Sequence, residues 1–418
     1  MGKRVIVIGA GAAGLIAAWS AAANGASVTL LEKMQASGRK LLITGAGRCN
    51  VTNSNDIDAF IQKYFSKGRF LYPAFNNFFR EDLLKLLETE GLRFITEPNG
   101  KIFPASGKAG DILVALNSLN IKVNVRVITG EAVKSLQIED GRIVGVNTEN
   151  SSYNADAVIL AAGGTSWPGT GSSGDGCRLA ASIGHKIEML RPALVPIVIE
   201  AEWLRELKGI SLQQTDVQLL CNGRKKASDR GELLFTHFGL SGPVILRLSR
   251  NLPDFSLKQK TGEEAAWQLK IDLAPNASVS SLLEIWRTAI SANPARSLIN
   301  CLGEPFPARL TAALMQQYGI SRDIRAADVG MGKLEAMASG CKGLALNIAG
   351  TRGYREAMVT AGGVSLKEVD PRSMLSRLVP GLYFAGEVLD IDGDTGGYNL
   401  QAAFSTGVLA GLHAASDH

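Results

Sequence analysis

An α/β fold built on a parallel sheet and interrupted by a long central insert is what this 418-residue sequence predicts, and three observations predict it. The first is a strand, a glycine turn, a helix, a second strand and an acid in direct succession at the N-terminus. The second is a change of texture near residue 192, where alternating strands and helices give way to short strands with polar turns and then to helices. The third is the reappearance, after residue 357, of a strand ending in glycine and an acid, followed by a glycine pair that opens a closing helix. A chain of this length exceeds what one hydrophobic core usually supports, so two or three domains are expected.

Residues 4–8 form a short apolar run with β-branched side chains. Gly9-Ala10-Gly11-Ala12-Ala13-Gly14 and an alanine-rich helix to about residue 24 follow, and a second strand over 27–31 ends at Glu32. A lone GxGxxG is a weak match, but this order is the context that makes it a Rossmann-like dinucleotide-binding turn. Gly9 makes the tight turn, Gly11 lets backbone approach a pyrophosphate, and Gly14 allows the helix to lie close to the strand. The helix N-terminus adds unpaired N–H groups and a positive dipole end. Glu32 lies where an acid hydrogen-bonds the adenosine ribose, and its charge argues against a 2′-phosphate.

Further along, the pattern predicts a helix over 83–90, a strand over 123–128, and a hairpin of 132–138 with 142–147 around Asp140-Gly141. A buried strand over 155–160 ends in Ala161-Ala162-Gly163-Gly164. In the insert, strands are expected at 195–199, 216–220 and 267–273, helices at 282–292, 307–318 and 324–331, and a strand at 344–348. The segment 381–385 and a helix from about residue 400 resume the first domain.

Composition bounds the function. Hydrophobic residues make up 46% and charged residues 20%, with a mean hydropathy of +0.09, which describes an ordinary soluble protein. The net charge of +5 is dispersed, without a polybasic run, so no nucleic-acid partner is expected. Cys49, Cys177, Cys221, Cys301 and Cys341 are far apart, odd in number and never in a CxxC pair, which fits a reducing cytoplasm. Lys3 and Arg4 mimic a signal peptide, but Gly9, Gly11 and Gly14 interrupt its apolar core. No window reaches about 18 apolar residues, so no membrane span is expected.

One GxGxxG could hold NAD or FAD. The stretch Gly381-Leu382-Tyr383-Phe384-Ala385-Gly386-Glu387-Val388-Leu389-Asp390, followed by Gly396-Gly397-Tyr398-Asn399-Leu400-Gln401, decides for FAD. A strand ending in glycine and an acid, then a glycine pair opening a helix, is how two-dinucleotide-fold flavoproteins close over their cofactor. The acid accepts ribityl or pyrophosphate-side hydrogen bonds, and the helix N-terminus stabilises negative charge on a reduced flavin.

The segments 38–53, 235–243, 359–364 and 385–411 resemble the YhiN/BaiN group of bacterial NAD(P)/FAD-dependent oxidoreductases, and the resemblance runs end to end. It implies a two-dinucleotide-binding-domain FAD fold interrupted by a β-barrel subdomain and a helical bundle. Residues 1–191 and 357–418 would then form the FAD domain, 192–275 and 339–356 the barrel, and 276–338 the helical part. One branch of the group is implicated in reducing unsaturated 3-oxo bile-acid intermediates, and the resemblance implies a substrate of that enone type.

In flavoproteins of this architecture the segment after the ribose acid runs back along the cofactor. Gly45 and Gly47 would allow close approach, while Arg39, Lys40 and Arg48 would balance the diphosphate. Cys49 is expected to pack beside the isoalloxazine rather than act in redox chemistry, since no second cysteine lies nearby. Lys33, Asn50 and Val133 complete the candidate set on this side. The second match, Gly169-Thr170-Gly171-Ser172-Ser173-Gly174, follows Trp167-Pro168 rather than a strand and so lacks the context of a nucleotide site. Gly174-Asp175-Gly176, opening a helix at Cys177, resembles instead the loop beside the flavin in fumarate-reductase and ketosteroid-dehydrogenase flavoproteins.

His237 precedes Ser241-Gly242-Pro243, a helix start, and could orient or protonate a substrate. Tyr398 and Asn399 are candidates for cofactor or substrate contact and weaker ones for a proton role. His185, His413 and His418 have no supporting constellation. The expected activity is hydride transfer from NAD(P)H, through flavin N5, to an activated carbon–carbon double bond of an enone-type, steroid-like small molecule. The alternatives are a flavin-dependent RNA-modifying enzyme and a non-enzymatic FAD-binding sensor. The insert's central position suggests that it covers the site.

Overall fold

The computed structural model describes residues 2–255 and 265–416, so His418 lies outside the described residues. The chain divides into two compact units. One comprises the residues up to Pro192 together with those from Met358 onward, and the other is Ala193–Ala357.

In the first unit the N-terminal apolar run folds as β1 (Arg4–Ile8), buried at every position after Arg4. A strand with both faces covered must be apolar throughout rather than alternating. β2 (Ser27–Glu32) lies on one side of β1 and Ala157–Leu160 on the other, with Arg126–Thr129 and Leu382–Phe384 at the two edges, all parallel. Strand order therefore reverses at β1, and the crevice beyond Ile8 is the place where such sheets bind ligands.

α1 (Ala12–Ala23) ends at Asn24, followed by Gly25 at φ +91°. It packs against the closing helix, Tyr398–Ala415, at a distance set by two glycines. A Cβ added at Gly407 would come within 2.6 Å of the Ala13 carbonyl oxygen, and one at Gly411 within 2.4 Å of that of Ala17. Leu15 and Ile16 on α1 are fully buried, each stabilising the unit by roughly 1.5–3 kcal/mol.

Several boundaries differ from the sequence pattern. The helix expected over 83–90 is Arg80–Glu88. The strand expected over 123–128 begins only at Arg126, because Ala109–Lys122 is a helix whose C-cap is Val123. The hairpin forms from Val133–Glu139 and Arg142–Thr148, with Asp140 and Gly141 both at positive φ as a two-residue turn requires.

The second unit contains a closed six-stranded barrel in the order Ile197–Ile199, Gly239–Ser241, Arg224–Phe235, Ser211–Cys221, Trp267–Asp272, Leu344–Thr351. Burial alternates strictly along most of the last strand, as a barrel wall demands. The helices Val279–Ala292, Ala308–Gln317 and Met331–Cys341 share one hydrophobic cluster with the barrel strands, centred on Trp286, Leu310 and Leu334 with Val217 and Leu269. No α-helix spans 324–331, where Ala326–Asp328 makes only a single 3₁₀ turn. Ile324, before that turn, and Ala326, its first residue, serve the core, Val329 is extended, and the α-helix starts after Gly330. Among the described residues, no helix is long and apolar enough to cross a membrane.

Candidate functional site

A cavity of about 720 Å³ opens at the switch point, lined entirely by residues of the first unit. Its floor is the glycine turn. Gly9 is at φ +98°, where a Cβ would lie 2.8 Å from the Ala161 carbonyl oxygen, and a Cβ on Gly14 would lie 1.8 Å from that of Gly9. Gly14 thus serves packing and does not line the cavity. Gly11 is different: a Cβ there would meet nothing within 4 Å, so the space beside it is open to a ligand. Gly11 is also the N-cap of α1 and gives the first turn no side-chain acceptor, which leaves its N–H groups for an anion. Ala10, Ala12 and Ala13 line the same wall.

Glu32 stands at the end of β2 and borders the cavity. One carboxylate oxygen accepts from Ala10 N and the other from Met34 N, each at 2.8 Å. Each oxygen keeps a second lone pair. Lys33 bridges from here to Ser173 Oγ at 2.5 Å and to Asp175, which Arg178 also pairs. Burial, with the Arg178 charge adding to it, lowers the Lys33 ammonium against the pull of Glu32. Val133 and Glu131 complete this end, and the Glu131 Oε1 atom is buried without a hydrogen-bond partner among the described residues.

Toward the other end lies a polar network. Lys40 pairs with Glu387 and donates to Ser166 Oγ at 2.5 Å. Glu387 Oε1 accepts from Ser166 Oγ and from Thr360 N, each at 2.8 Å. Thr360 Oγ1 in turn accepts from Thr165 N and Ser166 N at 2.8 and 3.0 Å. Gly164 is required here, since its Cβ would fall 2.4 Å from Thr360 Oγ1, but it does not reach the cavity. Ala161, Ala162, Gly163 and Gly386 do. Within this network Trp167 has φ 55° and ψ 59°, left-handed for a bulky residue that also precedes Pro168, a conformation that costs about 1–3 kcal/mol.

The closing helix begins after Gly397, at φ +92°, again without a side-chain cap. A Cβ on Gly397 would strike the Thr52 backbone at 2.4 Å. Around this turn, Thr52 Oγ1, Gln401 Oε1 and Asn50 Oδ1 are buried with no hydrogen-bond partner among the described residues. None of these three residues lines the cavity; what fits an FAD pyrophosphate is the open space beside Gly11 and the uncapped N–H groups at the start of α1. Asn399 and Leu400 line the cavity, although the Asn399 amide is engaged with Gly393 N and O at 2.8 and 2.9 Å.

Other expected residues stand elsewhere. Arg48 does not balance a diphosphate: it pairs with Glu97 at 2.5 Å and lies 3.9 Å over the Phe103 ring centroid. Gly45, Gly47, Cys49 and Asn50 do not line the cavity, and burial pushes the Cys49 thiol up to about 11. Arg39 lines it and makes no ion pair with a described residue, so it is the cation of this segment left for a phosphate. Gly174 caps the helix Asp175–Ser182, whose first residue borders the cavity. Asp390 pairs with Lys67 away from the cavity, and burial raises it despite that charge. Tyr398 is no proton donor to the site. It sits at 4% exposure edge-on to Phe60 and takes a hydrogen bond from Asn55 Nδ2 at 2.8 Å. Gln401 is fully buried behind it. His237 is exposed in the second unit, in the turn after Arg224–Phe235, and is not a lining residue.

Sequence reasoning missed Arg178, Lys134, Ser166 and Thr360. Arg178 lies one turn after Asp175 on the same helix, a spacing that signals an ion pair; Thr360 carries no local signal.

Fold and site together define an FAD-dependent oxidoreductase of the Rossmann type. The profile of the HI0933-like protein Rossmann domain matches residues 3–413, and the chain belongs to that family. It is 32% identical over 416 residues to the 3-dehydro-bile acid delta(4,6)-reductase of Clostridium scindens, covering 99% of both chains. It is equally 32% identical over 409 residues to the ribosomal RNA dihydrouridine synthase of Escherichia coli, covering 96% of this chain and 95% of that one. Among solved structures, a flavocytochrome c3 fumarate reductase in an open conformation superposes with a TM-score of 0.51 at 18% identity, covering 99% of this chain and 78% of the other. That likeness concerns the fold alone.

Proposed function

We propose that this protein reduces carbon–carbon double bonds conjugated to a carbonyl, with FAD as the hydride carrier and NAD(P)H as the donor. One observation carries the reading. Two relatives at the same identity bear names for dissimilar substrates, a 3-oxo bile acid and ribosomal RNA uridine, yet the reacting groups share one chemistry: a C=C in conjugation with a C=O. Conservation of the cofactor machinery with divergence of the substrate is what that pairing suggests. When bound, FAD supplies the hydride from N5.

This chain's residues would do the rest. The α1 N-terminus and Arg39 would hold the diphosphate, Glu32 the ribose, and the uncapped start of the closing helix would favour negative charge at the pyrimidine edge. The test is an anaerobic titration of the purified flavoprotein with NADH and NADPH, followed by enones. Bleaching by a nicotinamide and recovery on adding an enone is the expected result; a flavin that no enone reoxidises would remove the reading.

A second reading, with uracil in RNA as the conjugated substrate, has one observation in its favour. The second unit carries 20 Lys and Arg against 16 Asp and Glu, most of the net +5. Arg224, Lys225 and Lys226 are exposed together on one barrel hairpin. RNA binding that weakens steeply with salt would support it.

A further inference from the structure

We infer that the outer wall of the barrel, around the hairpin that carries Arg224, Lys225 and Lys226, is a docking surface for the phosphate backbone of RNA. The inference rests on the RNA reading given second above and names the surface that reading requires. The three cations follow the Asn222-Gly223 turn, where both residues have positive φ, and all three are exposed. Consecutive residues of a strand face opposite sides, so an ordinary ladder would aim one of the two lysines at the barrel interior. A β-bulge prevents this. Ala227 pairs with the fully buried Leu219 and Lys225 with Leu220, which leaves Lys226 as an extra residue with no partner across the ladder. Such an insertion re-aims side chains, and here it lets three cations in a row reach solvent.

Neighbouring strands extend the surface. In Trp267–Asp272, Lys270 pairs with Gln218, and Gln218 pairs on its other side with Ser228 of the hairpin. Lys270 is exposed as well and stands two strands over, about 10 Å from that row. The outward positions beside these cations are amides: Gln218, Gln268 and Asn347, the last two joined by a hydrogen bond of 2.8 Å. The aspartates of the same strands are already matched. Asp216 pairs with Arg230, Asp229 with Arg247 and Asp272 with Lys342. The side chains of Arg224, Lys225, Lys226 and Lys270 make no ion pair with a described residue.

Chemistry selects the partner. Uncompensated cations spread over two strands suit a chain of phosphates rather than a single one. The amides among them offer donors and acceptors together, which matches the 2′-hydroxyl of RNA, itself both donor and acceptor. A membrane surface calls instead for apolar side chains that enter the lipid, and no large apolar residue of these strands is among the exposed ones.

The test follows the fluorescence anisotropy of a labelled single-stranded RNA of mixed sequence with three flavin-loaded proteins, between about 50 and 200 mM KCl. They are the wild type, the hairpin variant Arg224→Gln with Lys225→Gln and Lys226→Gln, and a control with the same loss of charge at exposed positions of the first unit, Lys85→Gln with Lys108→Gln and Arg126→Gln. The wild type should bind with an affinity that falls steeply with salt. The hairpin variant should flatten the slope of log K against log salt by about 2, at ~0.7 for each lost phosphate contact, while the control follows the wild type. An unchanged slope in the hairpin variant, or equal flattening in the control, would overturn the inference and leave the RNA reading standing, the lysines then serving only to blunt the end of a strand. A wild type that does not bind RNA, or that binds phosphatidylglycerol vesicles in its place, would remove the RNA reading first and the inference with it.

Discussion

Cys49 and His185 show how burial decides what a reactive side chain can do. The Cys49 thiol has no exposed surface, and its titration is pushed up to about 11 by desolvation, so at pH 8 it is protonated and unreachable. Alkylation with iodoacetamide at that pH should mark the half-buried Cys221 and Cys301 and spare Cys49, and Cys49→Ala should retain turnover within about twofold. Mass spectrometry of the labelled peptides checks the first outcome. His185 is buried between Glu368, 3.0 Å from Nδ1, and Ser376, 2.9 Å from Nε2. Desolvation lowers its titration despite the neighbouring carboxylate. The folded protein therefore binds fewer protons at His185 than the unfolded chain does. Its contribution is complete above the unfolded value of about 6.5 and is lost as pH falls through the lower folded value. The melting temperature should drop as the pH falls below about 6.5, and His185→Asn should flatten that drop; a profile unchanged by the substitution would refute the assignment.

At the scale of elements, the contact between α1 and the closing helix depends on the absence of two side chains. Gly411→Ala places a methyl 2.4 Å from the Ala17 carbonyl oxygen, where only backbone movement can relieve it. A loss of about 1–3 kcal/mol is expected, visible in a urea melt together with reduced flavin retention, because the helix that moves also carries Gly397 and Leu400. Elements of this kind were legible in the sequence where the cause is local. The Gly9 to Gly14 turn, the Asp140-Gly141 hairpin and the closing glycine pair each state their backbone requirement in adjacent residues. Arg48 was misread because its partners, Glu97 and Phe103, lie about fifty residues away. Tyr398 was misread because a burying aromatic cluster has no local signature. The helix Ala109–Lys122 went unseen since it starts at Lys108 without a side-chain cap, and 324–331 looked helical because its apolar spacing continues into Met331–Cys341.

Across the whole molecule, the two units have separate hydrophobic clusters, and the cavity belongs wholly to the first. Calorimetry should therefore resolve two transitions, with added FAD raising one of them by an amount that corresponds to about 2.7 kcal/mol at a hundredfold excess over Kd. A single transition shifted as a whole would show the units to be energetically coupled. The first unit is also discontinuous. On the ribosome, β1, α1 and β2 emerge early, yet the strand Leu382–Phe384 and the helix that covers α1 emerge only after the entire second unit has been made. At roughly 5–20 residues per second, the apolar face of α1 waits tens of seconds for its partner. The nascent first unit is thus a natural client for a chaperone, and a message truncated anywhere before the closing helix yields a chain unable to bury α1 or to complete its flavin cradle.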